Sequence, residues 1–195
     1  MRVGILAIQG DVREHERMFH RLGIATKLVR SKEHLQDLSG LVIPGGESTT
    51  IGMLMQEYGM TEEVLKYART GQFPVWGTCA GLILMATEVV GPSPTRLALM
   101  DITADRNAWG RQVSSFEAEV PIAALGPPDF PAVFIRAPRI RRMGDTVVPL
   151  AKCQDDVVMA ESGPFLVTSF HPELTEDVRV HRYFIEKIEE ARANR

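Results

Sequence analysis

Residues 73–81 have the sequence FPVWGTCAG, in which a short apolar strand runs directly into the start of an apolar helix. Cys79 lies at that junction between Gly77 and Gly81, in a Gly-x-nucleophile-x-Gly arrangement with cysteine in place of serine. Such a sharp turn lifts the side chain clear of the sheet, and glycines let the neighbouring chain approach closely. The turn also puts the sulfur at a helix N-terminus, which favours the thiolate, and leaves the Ala80 amide free to stabilise an oxyanion. The competing interpretation is a buried structural cysteine beside two packing glycines.

Strand and helix signals alternate through the first half of the chain around this motif. Strands are predicted near residues 2–8, 25–30, 40–43 and 73–77, and helices near residues 11–22, 48–57, 61–70 and 80–88, with a short helix after Ser31. Asp11 and Ser48 or Thr49 are the predicted N-caps. This alternation predicts a parallel sheet covered by helices on both faces.

The second half of the chain contains short strand candidates at close spacing, which indicates hairpins and some antiparallel strands. They cover residues 97–104, 116–122, 132–137, 146–150, 157–161 and 165–170. A final helix is predicted over residues 176–193, where apolar side chains recur at helical spacing. We therefore expect a single domain over residues 1–195, folded as a three-layer α/β/α sandwich with a mixed, largely parallel sheet.

Composition narrows the classes of partner. Apolar residues make up 45% of the 195 residues and charged residues 24%, and the net charge of -3 favours neither nucleic acid nor an anionic membrane. The basic cluster of Arg139, Arg141 and Arg142 is interpreted as a solvated loop or strand edge. Two cysteines, Cys79 and Cys153, are too few for a disulfide framework, so reduced thiols and a cytoplasmic location are expected. No apolar run reaches the length that spans a bilayer.

A cysteine nucleophile needs a base, and the base needs an orienting group. Among five histidines, His171 follows a strand candidate and precedes Pro172 and Glu173. Pro172 disfavours a helical backbone at His171, and residues two apart in an extended segment point the same way. Glu173 is therefore expected beside His171, which predicts a Cys79–His171–Glu173 triad at the carboxyl edge of the sheet. Without Cys79, a surface His-Pro-Glu turn would be the default interpretation.

A third element is the sequence LVIPGGESTT at residues 41–50, where a strand runs into two glycines and a capped helix. The glycines allow a backbone that aims amides inward, which would supply the second half of an oxyanion hole. Glu47 could hold a substrate ammonium group. Taken by itself, the segment is better explained as a strand-to-helix turn with good capping chemistry.

No metal or cofactor site is expected. His15, Glu16 and His20 resemble a zinc-helix motif, but two histidines five residues apart do not share a helix face. Cys153 has no glycine frame and is interpreted as structural.

Further segments complete a family resemblance. The chain resembles the class I, triad-type glutamine amidotransferases through Pro44-Gly45-Gly46, residues 77–81 and His171-Pro172-Glu173. It is more closely similar to the glutaminase subunits of pyridoxal 5'-phosphate synthase, whose motifs match in order along nearly the whole chain. These motifs are residues 7–10 (AIQG), 12–15 (VREH), 45–50 (GGESTT), 106–107 (RN), 110–112 (GRQ), 115–117 (SFE), 134–138 (FIRAP) and 169–177 (SFHPELTED).

The resemblance implies a flavodoxin-like, class I amidotransferase fold and hydrolysis of L-glutamine to L-glutamate and ammonia. Cys79 would attack the side-chain amide and form a glutamyl thioester, His171 would relay the proton, and Glu173 would orient His171. Backbone at Gly46 and Ala80 would form the oxyanion hole.

The resemblance also implies substrate contacts and a partner. The glutamine-contact positions of the family match Gly46, Glu47, Ser48, Arg106, Ile135 and Arg136, and either arginine suits the α-carboxylate. The ammonia would pass to a separate barrel-shaped synthase subunit, which would combine it with a pentose phosphate and a triose phosphate to make pyridoxal 5'-phosphate. Family glutaminases are poorly active until they dock on the synthase, so Gln9 and the first helix are candidates for the interface.

Three other interpretations remain open at this stage. The glutaminase subunit of imidazole glycerol phosphate synthase would share the same three residues, although the FIRAP and RNAWGRQ segments at residues 134–138 and 106–112 argue against it. A γ-glutamyl peptidase could use the same fold. A non-catalytic regulatory module would be expected to have lost Cys79, His171 or Glu173.

Overall fold

The computed structural model describes residues 1–92, 94–106 and 115–194. The elements of its first half are β1 (Arg2–Leu6), α1 (Val12–Arg21), β2 (Ala25–Val29), β3 (Gly40–Ile43), α2 (Ser48–Glu57), α3 (Met60–Ala68), β4 (Val75–Thr78) and α4 (Ala80–Met85). Those of its second half are β5 (Ala86–Val90), β6 (Met100–Asp105), β7 (Ser115–Val120), β8 (Phe130–Ile135), β9 (Arg139–Met143), β10 (Val148–Cys153), β11 (Asp156–Ser162), β12 (Phe165–Thr168) and α5 (Arg179–Ala193). Short 3-10 turns occupy Lys32–Leu35, Ala123–Leu125 and Pro172–Leu174.

The main sheet of the described residues has seven strands in the order β10-β11-β12-β4-β3-β1-β2. The five strands from β12 to β2 are parallel, while β10 and β11 continue the sheet as antiparallel neighbours. Two smaller sheets stand outside it: β5-β6-β9, and the antiparallel pair β7-β8. The predicted mixed, largely parallel sheet is thus confirmed.

Apolar side chains on the two faces of the main sheet form two separate cores. One face packs Leu41 and Ile43 against α2, α3 and α4 and against the β5-β6-β9 sheet. The other packs Val42 and Trp76 against α1, α5 and the β7-β8 pair. Successive residues of β3 therefore point into opposite cores, as expected for a strand buried on both faces. The predicted three-layer α/β/α sandwich is confirmed.

The structure differs from the predictions at the end of α4 and at the start of α2. The helix predicted to reach Glu88 ends at Met85, because Ala86 adopts an extended backbone and the β-branched residues that follow pair with β6 in the small sheet. Glu47, not Ser48 or Thr49, caps α2, with its carboxylate accepting from the Thr49 and Thr50 amides. The basic cluster forms the edge strand β9, where Arg141 and Arg142 pair with Asp105 and Asp101.

No helix in the described part of the chain is both long and apolar enough to cross a membrane.

Candidate active site

Four neighbouring parallel strands, β1, β3, β4 and β12, end at the same edge of the main sheet. The segment with Gln9 and Asp11 follows β1, the glycine pair follows β3, Cys79 follows β4, and His171 lies three residues beyond the end of β12. Because carboxyl ends of parallel strands form the usual ligand site of such sheets, this edge is the candidate active site.

Cys79 sits on a strained turn. Its φ of 48° lies in the left-handed region that non-glycine residues rarely adopt. A β-carbon on Gly77 would collide with the Gly81 backbone, and one on Gly81 would collide with the carbonyl of Ile43. The two glycines therefore let α4 approach the sheet closely enough for the turn to exist. The Cys79 amide donates to the Thr168 carbonyl at 2.8 Å, which ties the turn to β12.

His171 and Glu173 form a close imidazole–carboxylate pair. His171 Nδ1 lies 2.7 Å from Glu173 Oε1, and the exposed fractions of these residues are 4% and 0%. The His171 amide donates to the Val133 carbonyl at 2.8 Å, which fixes the backbone against β8. The expectation that an extended backbone would bring the two side chains together is wrong, because Pro172–Leu174 is a 3-10 turn. His171 is the N-cap residue immediately before this turn, and the turn brings the Glu173 carboxylate to the His171 ring.

A second carboxylate approaches the same nitrogen. Asp11 Oδ2 lies 3.3 Å from His171 Nδ1, and its side chain remains 36% exposed. Asp11 is the N-cap residue of α1 as predicted, but its side chain makes no capping hydrogen bond. The absence of a side chain at Gly45 makes room for this arrangement, because a β-carbon there would collide with both the His171 ring and the Asp11 carboxylate.

The pKa of His171 reflects these neighbours. Burial by itself would lower the pKa, but hydrogen bonding with Asp11 and Glu173, together with the nearby Cys79 thiol, outweighs burial and raises it well above its ordinary value. The site therefore favours the imidazolium form, which is the form that can hand a proton to a leaving group.

The Cys79 thiol and the His171 imidazole line the same cavity but are not hydrogen-bonded to each other. Cys79 Sγ donates to the Ile135 carbonyl at 3.8 Å. His171 Nε2, the nitrogen that Glu173 does not use, is buried and makes no hydrogen bond with any residue that the structure describes. Such pairs commonly tighten only when substrate is bound.

A cavity of about 360 Å³ opens over the thiol. Its lining among the described residues is Gln9, Asp11, Gly46, Glu47, Ser48, Cys79, Ala80, Ile83, Arg106, Ile135, Arg136 and His171. It thus brings together the two arginines predicted to contact glutamine, the other predicted contact residues, both predicted oxyanion-hole positions, and Cys79 with His171, whereas Glu173 lies behind His171. Of the family motif segments, Asn107 and residues 110–112 lie outside the described residues.

Polar contacts organise the mouth of this cavity. Arg106 Nη2 lies 3.2 Å from Glu47 Oε1 and 3.3 Å from Thr49 Oγ1. Gln9 Oε1 accepts from the Glu47 amide at 2.8 Å. Hydrogen bonds from Thr50 and Thr49 outweigh partial burial and lower the pKa of Glu47, so that it stays ionised. The mouth therefore presents one negative and one positive group side by side.

Three of these side chains could also be considered as a metal site. Asp11, His171 and Glu173 each offer a ligand atom within 4.8 Å of the others. The nitrogen that would have to ligate an ion, His171 Nδ1, is however the atom bonded to Glu173 at 2.7 Å. The arrangement fits an oriented imidazole better than a ligand set.

Sequence reasoning missed three residues of this region. Asp11 contacts His171, and His15 and His181 are fully buried behind Glu173. The available signal for His15 was its spacing from Met18 and Phe19, which places all three on the buried face of α1. His181 carried a similar signal beside Val180 and Phe184 in α5.

Solved structures with the same fold include amidotransferases. A crystal structure of a glutamine amidotransferase is 52% identical, covers 96% of this chain and 98% of its own, and superposes with a TM-score of 0.92. A crystal structure of a glutamine amidotransferase from Thermotoga maritima is 12% identical, covers 98% of this chain and 85% of its own, and has a TM-score of 0.61. At that identity the second structure supports the fold alone.

Sequence relatives cover the chain from end to end. A protein of Pelotomaculum thermopropionicum named pyridoxal 5'-phosphate synthase subunit PdxT is 52% identical over 194 residues, covering 100% of this chain and 98% of its own. A protein of the same name from Thermus thermophilus is 52% identical over 185 residues, which are 94% of this chain and 96% of its own. The model of the SNO glutamine amidotransferase family matches residues 5–190. The chain therefore belongs to the SNO glutamine amidotransferase family.

Proposed function

We propose that this chain hydrolyses L-glutamine to L-glutamate and ammonia with Cys79, His171 and Glu173 as its triad. The observation that carries the proposal is the convergence on one cavity of a cysteine on a strained turn and a histidine held by a buried carboxylate at 2.7 Å. Membership of a glutamine amidotransferase family supplies the substrate class.

The reaction follows from this arrangement in two steps. Cys79 Sγ attacks the side-chain amide carbon of glutamine as a thiolate paired with the His171 imidazolium, and His171 Nε2 hands its proton to the amide nitrogen. The carbon–nitrogen bond breaks, and ammonia leaves a glutamyl thioester on Cys79. Water then attacks the thioester, His171 takes its proton, and the thiolate departs with glutamate released. Glu173 keeps the proton of the imidazole on Nδ1, so that Nε2 faces the reacting atoms.

Backbone amides at Gly46 and Ala80 are the proposed oxyanion hole. Both residues line the cavity beside Cys79. Ala80 is the first residue of α4, and amides of a first helical turn have no partner within the helix. Such an amide can therefore donate to the oxygen that becomes negative in the tetrahedral intermediate.

The amino-acid head group of glutamine suits the mouth of the cavity. An amino acid carries an ammonium and a carboxylate on one carbon, and the adjacent Glu47 and Arg106 offer the opposite charges. Arg136 and Ile135 lie at the same cavity and complete the proposed substrate contacts with Gly46 and Ser48.

The names of the relatives extend the proposal to a pathway. We infer that the ammonia is channelled to a separate barrel-shaped synthase subunit that makes pyridoxal 5'-phosphate, within a hetero-oligomeric complex in the cytoplasm. Full-length relatives at about 50% identity that are named as subunits of this synthase support that reading over an imidazole glycerol phosphate synthase subunit. The presence of Cys79, His171 and Glu173 in contact range speaks against a non-catalytic module. The reaction needs no nucleic acid, membrane or cofactor.

The test is release of glutamate and ammonia from glutamine, by the chain alone and with the pyridoxal 5'-phosphate synthase subunit added. We expect strong stimulation by that subunit and complete loss in Cys79→Ala, while Cys153→Ala serves as the matched control and keeps its activity. Full activity of Cys79→Ala would refute the mechanism. Activity that is indifferent to the synthase would retain the triad and move the chain to another pathway.

A further inference from the structure

Behind Glu173, on the side away from the cavity, two histidines are packed against each other in the core. His15 on α1 and His181 on α5 both have an exposed fraction of 0%. His15 Nδ1 lies 3.0 Å from His181 Nε2, and His15 Nε2 lies 3.5 Å from Glu173 Oε2. The Trp76 ring contacts both histidines edge-on. A continuous line of polar atoms thus runs from His181 through His15 to the carboxylate of the triad.

The second carboxylate oxygen of Glu173 lacks a hydrogen-bond donor among the residues that the structure describes, and His15 is the residue that could supply one. Oε1 is bonded to His171, but Oε2 is buried and has no hydrogen-bond partner within normal distance in the described part of the chain. A buried carboxylate oxygen without a donor loses its hydration without compensation, which destabilises the folded state. His15 Nε2, at 3.5 Å, is placed to supply that donor with a small movement.

The positions of the hydrogens decide whether it does. If His15 carries its proton on Nε2, that N–H points at Glu173 Oε2 and Thr78 Oγ1, and His15 Nδ1 accepts from His181. If the proton is on Nδ1, the Nε2 lone pair faces a carboxylate. His181 Nδ1 would then carry a buried N–H without an acceptor among the described residues, because His181 Nε2 would be the accepting atom. The first arrangement avoids both penalties.

We propose that His15 is a positioning residue for the reaction, donating from Nε2 to Glu173 and thereby fixing the carboxylate that orients His171, with His181 setting the tautomer of His15. This deepens the proposed glutaminase function and rests on it. The chain of contacts is His181 to His15, His15 to Glu173, and Glu173 to His171.

The protonation states agree with this assignment. Burial is the main cause that lowers the pKa of His15, against the attraction of Glu173 and with the repulsion of His171. Burial and the neighbouring His15 lower the pKa of His181 well below its ordinary value. Both rings are therefore neutral at neutral pH, each with one proton, which is the condition under which the direction of the two hydrogen bonds is defined.

The first test reads the tautomer in the intact protein, independently of activity. Nitrogen-15 labelled histidine is introduced into the full chain, and the two ring nitrogens of His15 are observed by NMR, with His15→Gln identifying its signals. A proton on Nε2 is the expected result. A proton on Nδ1, or a doubly protonated ring at pH 7, would overturn the proposal even if the enzyme is fully active.

The second test uses two amides that reach different atoms of the lost ring. A glutamine side chain places its NH2 group as many bonds from Cβ as His15 Nε2, whereas an asparagine reaches only as far as Nδ1. We expect His15→Gln to keep kcat within about threefold, and His15→Asn to lose about tenfold or more, a typical cost for an orienting partner. The KM for glutamine should stay within about twofold for both, because His15 does not line the cavity.

Both variants are assayed in the complex with the synthase subunit, after thermal melting has shown that they are folded. His20→Gln, an exposed histidine of the same helix, is the control. Equal losses in His15→Gln and His15→Asn, or a kcat unchanged in His15→Asn, would overturn the positioning role. Failure of the proposed function would be distinguishable, because the wild-type complex would then release no glutamate or Cys79→Ala would retain its activity, and neither result changes the tautomer read by NMR.

Discussion

Two histidines flank Glu173 from opposite sides, and the same carboxylate leaves them in opposite states. His171, on the cavity side, contacts Glu173 at 2.7 Å and Asp11 at 3.3 Å, and its pKa is raised. His15, on the core side, lies 3.5 Å from Glu173 and 3.0 Å from another histidine, and its pKa is lowered. Burial opposes the charged form in both. His171 has two carboxylates close to one nitrogen and can therefore carry a second proton and a positive charge. His15 has one more distant carboxylate, so it stays neutral and donates its single proton from a fixed nitrogen.

This difference in charge state matches two different roles, one in proton transfer and one in holding Glu173 in place. The cavity-side histidine must exchange a proton with substrate, so its environment tolerates the charged form. The core-side histidine must hold a carboxylate still, so a neutral ring with a fixed tautomer serves better. We therefore expect substitutions of Glu173, of residues on its cavity side and of residues on its core side to differ both in the property that changes and in the size of the change.

Removing the shared acceptor should have the largest effect. Glu173→Gln replaces the carboxylate by an amide, which no longer fixes the proton on His171 Nδ1 or stabilises the imidazolium. We expect kcat to fall about 10⁴-fold, by analogy with the loss of the acid in a serine-type triad, with a much smaller change in the KM for glutamine. Steady-state glutamate release in the complex provides the measurement. Glu176→Gln, three residues along and 81% exposed in its side chain, is the control. Unchanged turnover in Glu173→Gln would remove Glu173 from the triad.

The thiols offer the next test, because only one of them belongs to the cavity side. Cys79 and Cys153 are both 8% exposed, so accessibility does not distinguish them. Burial and the charge of Asp156 raise the pKa of Cys153. Cys79 instead lies beside His171 at the start of a helix, an environment that activates thiols.

We expect iodoacetamide to modify Cys79 at least about tenfold faster than Cys153 at pH 7, as followed by peptide mass spectrometry. His171→Asn should slow the reaction at Cys79, whereas His15→Gln should leave it unchanged, since His15 does not contact the thiol. Faster modification of Cys153 would contradict the assignment of the nucleophile.

The cavity side could be predicted from the sequence because its signals are local. Cys79, His171 and the glycine pair each follow a strand within a few residues, and parallel strands bring such segments to one edge. The parallel direction of these strands also follows from their alternation with helices. What the sequence could not show was the turn that joins His171 to Glu173, since Pro172 is compatible with both an extended segment and a 3-10 turn.

The core side could not be predicted because it depends on contacts between distant residues. His15 and His181 are 166 positions apart and meet only when α1 and α5 pack on the same face of the sheet. In the sequence, each is one polar residue at an apolar spacing, which is more often a satisfied core histidine than part of a site. The basic cluster was predicted to be a loop or a strand edge, and the sequence could not decide between them, because the aspartates of β6 that pair with Arg141 and Arg142 are distant in sequence.

Asp11 gives the cavity side a second carboxylate that the core side lacks. Its contact with His171 is longer than that of Glu173 and partly exposed to solvent, so its attraction for the imidazolium is screened. We therefore expect Asp11→Asn to lower kcat by about threefold to tenfold, much less than Glu173→Gln. Glutamate release in the complex measures the effect, and Glu14→Gln controls for the loss of one negative charge from the same helix. A loss as large as that of Glu173→Gln would mean that Asp11 orients His171 as much as Glu173 does.

The smallest expected effect lies on the core side and appears in stability. The pKa of His181 is lowered in the folded protein, by burial first and by His15 second. At pH values between this lowered pKa and the ordinary pKa of about 6.5, His181 is protonated in the unfolded chain but not in the folded protein. The free energy of unfolding therefore falls as the pH is lowered through this range. His171 has a raised pKa and is protonated in the folded state throughout this range. It therefore contributes in the opposite direction, and mainly above a pH of about 6.5.

Urea unfolding of the wild-type chain and of His181→Phe, each at pH 7 and pH 5, isolates this contribution. A phenylalanine can occupy the ring stack formed with Phe19 and Trp76 without titrating. On acidification we expect the wild type to lose about 1 kcal/mol more of its unfolding free energy than the variant, since each refused proton contributes up to about 1.4 kcal/mol per pH unit. His20→Gln, which removes an exposed histidine of α1, should behave as the wild type. Equal acid losses in wild type and His181→Phe would mean that His181 is protonated inside the folded protein, and the core side would then resemble the cavity side instead of opposing it.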